Sequence, residues 1–317
     1  MTDLIPIIAY TLIAFSVGSN DTSNALSICI GAEIIKFKKA VFLFGCFVLM
    51  GVILQGQRVM HTVGKSLLPI NLAILNIALL ISAFLIILSN WKKLPLSTHQ
   101  VIIGSLTGAG MAFEVDINLS SLFKIVLSWI ISPLGAFLFS LTLYRIMEKT
   151  LSKMPLFQIE RILRILLLIS GFLIAYNTGA NELATILGGV IHTGLMDQLQ
   201  ASLLGSFFVF LGAILLSHRV IETVGKEMVA LDPYSGFAAQ FGAGICVLLF
   251  TFLGMPVSTT YCIIGGISGV GMLKGMETVK MGLIKKIVLS WILTPCLAFI
   301  TCFILAKISH NMRLILG

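Results

Sequence analysis

The sequence predicts an all-α integral membrane protein made of two inverted-topology repeats of about five spans each, with broken helices or helical hairpins at the midplane. Three observations predict it. The 317-residue chain is 58% hydrophobic and only 11% charged, with a mean hydropathy of +1.06, whereas a soluble domain carries about 25% charged residues. Apolar segments long enough to cross a hydrocarbon core of about 30 Å recur from end to end. The second half of the chain repeats the first.

The apolar segments fall near residues 4–30, 40–56, 70–89, 94–113 and 119–147, then 162–190, 200–216, 236–254, 256–273 and 283–306. No stretch between them is long and polar enough for a separate soluble domain, so function is expected within the bilayer. The start MTDLIPIIAY has no basic n-region and no cleavage site follows, so it is expected to remain in the mature chain. The formal charge of +8 does not point to nucleic acid, because the basic residues sit in short inter-span loops, where they act as topology signals. Cysteines 29, 46, 246, 262, 296 and 302 form no CxxC pair and are expected to be buried free thiols.

The duplication is explicit. LIAFSVGSND at 12–21 matches LIAYNTGANE at 173–182, RVMHTVGK at 58–65 matches RVIETVGK at 219–226, and PLSTHQVIIGSLTGAG at 95–110 matches PVSTTYCIIGGISGVG at 256–271, each offset by 161. IVLSWIISP at 125–133 matches IVLSWILTP at 287–295, offset by 162. The first repeat is therefore placed at 1–148, a central cytoplasmic linker at 149–161 and the second repeat at 162–317.

Charge sets the hand of the repeat. KFKK at 36–39 aligns with DQLQ at 197–200, and the stretch around Glu114 and Asp116 aligns with the loop carrying Lys274 and Lys280. Equivalent loops thus differ in charge bias, as loops on opposite sides of a membrane do. With five spans per half, KFKK, Trp91-Lys92-Lys93, the linker with Lys149, Lys153, Arg161 and Arg164, Arg219 with Lys226, and the loop from Lys274 to Lys286 fall inside. Glu114, Asp116, Asp197 and both termini fall outside, as do Arg58 and Lys65, the two exceptions to the charge rule. An odd number of crossings per half makes the repeats inverted.

Two polar blocks recur within the spans of both halves. The first is Asn20, Asp21 and Asn24, matched by Asn181, Glu182 and Thr185. A carboxylate at that depth costs several kcal/mol unless a partner or an aqueous cavity faces it, so two in matched positions mark a site. Flanking glycines 18, 31, 179, 188 and 189 allow a helix break that frees carbonyl oxygens, and oxygen ligands of this kind suit a small cation. The second block is Pro95, Ser97 and Thr98, matched by Pro256, Ser258 and Thr259, with His99 aligned to Thr260. Proline presets a first helical turn, and the hydroxyls then lie beside unpaired backbone N–H groups that favour an anion. Two such starts face to face would form an oxyanion cradle, with Gly104, Gly108 and Gly110, matched by Gly265, Gly269 and Gly271, letting backbones approach behind it. A lone Ser-Thr pair more often bonds its own helix, and a lone Asn glues helices. Recurrence in both halves favours the transport reading. Arg58, Lys65, Arg219 and Lys226 read first as snorkelling interfacial residues, and second as anion attractors.

GSNDTSNAL and GANELATIL resemble the paired signatures of the inorganic phosphate transporter (PiT) family, and PLSTHQVIIGSLTG and PVSTTYCIIGGISG resemble its paired P-V-S-T-T-H blocks. The resemblance covers nearly the whole chain. It implies a symporter moving inorganic phosphate across the cell membrane, coupled to sodium or protons, with no cofactor and no metal besides the coupling ion. It implies phosphate binding by Ser97, Thr98, Ser258, Thr259 and Thr260. It implies cation binding by Asn20, Asp21, Asn24, Asn181 and Glu182, with His99 and Thr185 as secondary candidates. Glu182 stands where the family has aspartate, Thr185 where it has asparagine, and His99 where it prefers threonine. A sulfate permease of the same superfamily and a proton-coupled carrier of another oxyanion are the alternatives. No paired metal-ligand motif or Ser/His/Asp arrangement points to an enzyme. The expected partners are phosphate, membrane lipid and, as an assembly, a second copy in a homodimer, but no nucleic acid.

Overall fold

The computed structural model describes residues 4–92, 96–151, 154–228, 232–274 and 281–316. The first half contains α1 (Leu4–Gly31), α2 (Phe37–Gln55), α3 (Gln57–His61) running into a π-helical turn (Thr62–Ser66), α4 (Leu72–Lys92), α5 (Thr98–Ala112) and α6 (Leu119–Leu151). The second contains α7 (Leu156–Asn177), a π-helical turn (Thr178–Leu183), α8 (Ala184–His192), α9 (Gln198–Met228), α10 (Pro233–Phe252), α11 (Thr259–Lys274) and α12 (Met281–Leu316). No strand occurs among the described residues. Pro95, Lys93, Lys153 and Lys280, and the side chains of Arg219 and Lys226, lie outside what is described.

Among the described residues, seven helices are long and apolar enough to cross a membrane, in or along α1, α2, α4, α6, α9, α10 and α12. The segments at 94–113 and 256–273, which by sequence could either span or re-enter, are shorter than that. Their helices α5 and α11 have 15 and 16 residues, about 22 and 24 Å at 1.5 Å per residue. Each is instead the second arm of a hairpin. Asn118 N, just after α5, donates to Leu67 O, just before α4, at 2.9 Å. Lys274 at the end of α11 pairs with Asp232 at the start of α10. The hairpin ends therefore meet, and residues 96–97 and 253–258 lie at the opposite ends, the tips. The expected span at 162–190 is one helical run, α7 through the π turn into α8.

The halves pack by exchange. A Cβ on Gly104 would stand 2.5 Å from the Pro295 carbonyl, one on Gly108 would run into the Phe299 carbonyl, and their counterparts Gly265 and Gly269 meet Pro133 and Phe137 in the same way. So α5 of the first half lies parallel to α12 of the second, and α11 parallel to α6. Gly18 on α1 abuts the Val209 carbonyl of α9, and Gly179, its counterpart at an offset of 161, abuts the carbonyl of Val48, the counterpart of Val209. Of the glycines expected to let backbones approach, Gly104, Gly108, Gly265 and Gly269 do so across the two halves, whereas Gly110 meets the Leu68 side chain of its own half.

Direction follows from residue pairs. On α1 and α7, Gly171 meets Ala25 while Cys29 Sγ donates to Leu167 O at 3.3 Å, so these equivalent helices run antiparallel. On α2 and α9, Gly45 meets Phe210 while Phe37 meets His218 with ring centroids 5.2 Å apart, again antiparallel. Equivalent helices that oppose each other are what an inverted repeat requires.

One expected feature is absent. The glycines beside the first signature do not break the helix, since α1 runs unbroken through Gly18–Asn24 and Gly18 serves contact with α9. Ser19 and Ser23 hydroxyls donate back to the carbonyls of Ser16 and Asn20 at 2.8 and 2.6 Å, so those oxygens are not freed. In the second half the corresponding residues form a π turn, a local widening of the helix rather than a break. Of the six cysteines, all free, Cys46 and Cys296 are exposed rather than buried. They share the outer surface with Phe42, Leu138 and Ile292, an apolar face suited to lipid.

Candidate functional site

The two hairpin arms begin beside each other. Tyr261 Oη donates to Gln100 Oε1 at 3.4 Å. These two residues are equivalent at an offset of 161, so the pseudo-twofold axis passes between the starts of α5 and α11. Ser97 precedes α5 with extended backbone (φ −92, ψ 123), and its buried hydroxyl has no hydrogen-bond partner among the described residues. The buried Thr259 hydroxyl at the start of α11 lies beside the Glu182 carboxylate. Ser258 Oγ accepts from Tyr261 N at 3.4 Å, capping α11. Trp129 Nε1 donates to Pro256 O at 2.9 Å and fixes the second tip. Thr98 is the first residue of α5 and is partly exposed.

The signatures of α1 and of the π turn converge on these starts. Asn24 Nδ2 donates to Asp21 Oδ1 at 3.1 Å and to Thr260 Oγ1 at 2.9 Å. One amide therefore ties the first acid/amide block to the second Ser/Thr block, 236 residues away. Asp21 is buried, Asn20 and Asn24 are partly exposed, and the Asn20 side chain makes no hydrogen bond among the described residues.

In the second half the counterparts are fully engaged. Asn181 Nδ2 donates to Thr251 Oγ1 at 2.7 Å and Met255 O at 3.0 Å, while its Oδ1 accepts from Val257 N at 3.0 Å. The same oxygen lies 2.8 Å from His99 Nε2. Glu182 Oε1 accepts a long hydrogen bond of 3.5 Å from Thr259 N, and Oε2 lies 3.2 Å from His99 Nδ1. Thr185 donates to the Asn181 carbonyl at 2.8 Å and so points along its own helix rather than into the site. His99, a secondary candidate in the sequence, is a central member.

Some participants carry no repeat signal. Gln240 Nε2 donates to the carbonyls of Asn24 and Ala25 at 2.8 and 2.9 Å and accepts from Ser170 at 2.7 Å, yet its counterpart is Leu79. A lone glutamine in a Gly/Ala-rich span gives a sequence reader nothing to hold. Arg58, read as a snorkelling residue, does more. Its Nη1 donates to Phe252 O at 2.6 Å and its guanidinium lies 4.2 Å from the Phe252 ring centroid. With Gln57, His61, Thr62, Leu253 and Gly254 these residues line a cleft of about 510 Å³ at the second hairpin tip.

Two inverted halves that present hairpin starts, hydroxyls and carboxylates to one buried polar centre make the architecture of a secondary transporter. The comparisons agree. The model of the phosphate transporter family matches residues 17–302. A protein of Methanocaldococcus jannaschii, provisionally named a phosphate permease, is 35% identical over 95% of each chain. The sulfate permease of Bacillus subtilis is 29% identical over 96% of this chain and 88% of its own. A solved structure entitled the sodium-dependent phosphate transporter superposes with a TM-score of 0.86 at 23% identity, covering 98% of this chain and 99% of its own. This multi-pass membrane protein belongs to the phosphate transporter family.

Proposed function

We propose that the protein is a symporter that carries inorganic phosphate across the cell membrane together with a cation, sodium at Asp21 being the best-supported choice. The observation that carries the reading is the Asn24 amide, which joins a carboxylate to a hydroxyl at the start of a hairpin helix. Asp21, Asn20 and Asn24 offer oxygens to a hard cation, and the first two keep capacity not used within the described residues. Ser97 brings a buried hydroxyl without a partner among the described residues, and Thr259 a second buried hydroxyl, beside two helix N-termini, where an oxyanion would be met. Thr98, Ser258 and Thr260 complete the phosphate set.

A cation at Asp21 offsets the repulsion between the carboxylate and the phosphate, which ties the two fluxes together. The exchange packing, with each hairpin arm seated on the last helix of the opposite half, lets the arms shift as units around a central site. The basic loops, at KFKK, the centre and Lys274 onward, favour a cytoplasmic position, leaving both termini and the Arg58 cleft outside. There the guanidinium would raise the local concentration of anions.

Phosphate is favoured over sulfate for a chemical reason. Monohydrogen phosphate donates one hydrogen bond where sulfate donates none, and Asp21 is an acceptor placed to receive it. The experiment is uptake of radiolabelled phosphate into proteoliposomes, with excess unlabelled sulfate or phosphate as competitor. Phosphate alone should compete, and equal competition by sulfate would make the protein a general oxyanion carrier.

A further inference from the structure

The two halves offer matched signatures, so symmetry alone would give two equivalent cation positions. We propose that His99 closes the position of the second half, so that the carrier binds one sodium ion, at Asp21, for each phosphate. The inference rests on the sodium-coupled reading above and concerns which oxygens remain available to the ion.

Asn181 has none to give. Its Nδ2 donates to two acceptors, Thr251 Oγ1 and the Met255 carbonyl, which fixes the orientation of the amide. Oδ1 must then face Val257 N and His99 Nε2, at 3.0 and 2.8 Å, and both of its lone pairs are used. Glu182 is hemmed in as well, with Thr259 N donating to Oε1 at 3.5 Å and the His99 ring standing 3.2 Å from Oε2. One imidazole thus reaches Asn181 with one nitrogen and Glu182 with the other, and the ring fills the space between the two oxygens that a sodium ion would need. His99 Nδ1 stands 3.2 Å from Oε2 without hydrogen-bond geometry, so it is the bulk of the ring that closes the position. His99 and Asn181 are fully buried and Glu182 nearly so.

The three departures from the family pattern act in concert. The longer Glu182 reaches the α11 start, Thr185 turns to its own helix, and His99 takes the gap. At the equivalent place in the first half stands Thr260, whose small hydroxyl accepts from Asn24 and leaves Asn20 and the second oxygen of Asp21 open. The asymmetry is chemical, and it predicts stoichiometry.

The test measures coupled fluxes of radiolabelled sodium and phosphate in proteoliposomes at fixed pH and clamped membrane potential, together with the sodium dependence of initial phosphate uptake. The wild-type protein should move one sodium per phosphate with a Hill coefficient of about one for sodium. A variant carrying His99→Thr, Glu182→Asp and Thr185→Asn should gain a second sodium and a Hill coefficient approaching about two. A wild-type ratio of two or more sodium ions per phosphate would overturn the inference while leaving the symport reading intact. Uptake indifferent to sodium would overturn the sodium-coupled reading and the inference with it. The wild-type ratio decides even if the triple variant does not fold.

Discussion

Replacing Asn24 with alanine should uncouple sodium from phosphate rather than abolish the binding of either. In the native protein the Asn24 amide holds Asp21 Oδ1 and Thr260 Oγ1 at once, at 3.1 and 2.9 Å. A hydrogen bond to a charged group contributes about 1.5–3 kcal/mol and one between neutral groups about 0.5–1.5 kcal/mol. Asn24 is partly exposed, so water replaces part of each bond and the lower ends of these ranges apply, about 2 kcal/mol together. That corresponds to a factor of about 30 in affinity. Linkage makes the effect reciprocal, so it appears as the factor by which saturating phosphate tightens sodium binding and equally the reverse. The assay is equilibrium binding of radiolabelled sodium to purified protein, with and without saturating phosphate. Asn24→Ala should lose up to about 30-fold of the mutual tightening, with its folding verified by thermal denaturation. Unchanged coupling in a folded Asn24→Ala protein would refute the role of this amide as the link.

Other predictions follow from separate contacts. Gly18→Ala and Gly179→Ala each drive a methyl group into a carbonyl oxygen of the opposite half, Val209 and Val48 respectively. Each should lower stability by about 3 kcal/mol or prevent folding, to a similar extent, in thermal denaturation. Trp129→Phe removes the buried hydrogen bond to Pro256 O and should cost about 1 kcal/mol in the same assay while weakening phosphate binding through a looser second tip. Glu114, in the loop after α5, has its carboxyl lowered from the ordinary 4.5 by a hydrogen bond from Lys307 and by that residue's charge. A lowered folded value means that the pair stabilises above pH 4.5 and that this contribution fades as pH falls through the lowered value. The pair is exposed and salt-screened, so the effect is small. Glu114→Gln should flatten the acid side of the stability profile, and high salt should flatten it in the wild type.

Much of this was legible in the chain because duplication writes the same constraint twice. The offset of 161 identifies Gly18 with Gly179 and Gly104 with Gly265, and the matching positions do make matching contacts. Similarity identifies equivalent residues but not which half each packs against, so the exchange of α5 onto α12 and α11 onto α6 could not be read. Hydropathy likewise measures apolar length and not where a chain turns, which is why the hairpin arms α5 and α11 looked like spans. At the site, the convergence of Asn24, Glu182 and the Ser/Thr starts followed from their shared symmetry. The role of His99 lay in the break in symmetry with Thr260, and its meaning depended on where Asn181 turned its amide. Gln240 has only an apolar counterpart, Leu79, and a lone buried amide can be placed only by its neighbours.

The central claim is that phosphate and a cation share one membrane-embedded site organised by Asp21. Its most direct test is radiolabelled phosphate uptake into proteoliposomes with and without an inward sodium gradient, for wild type and Asp21→Ala. The account predicts gradient-driven, saturable accumulation in the wild type and its loss in Asp21→Ala, although the variant folds. Undiminished accumulation by Asp21→Ala would contradict it.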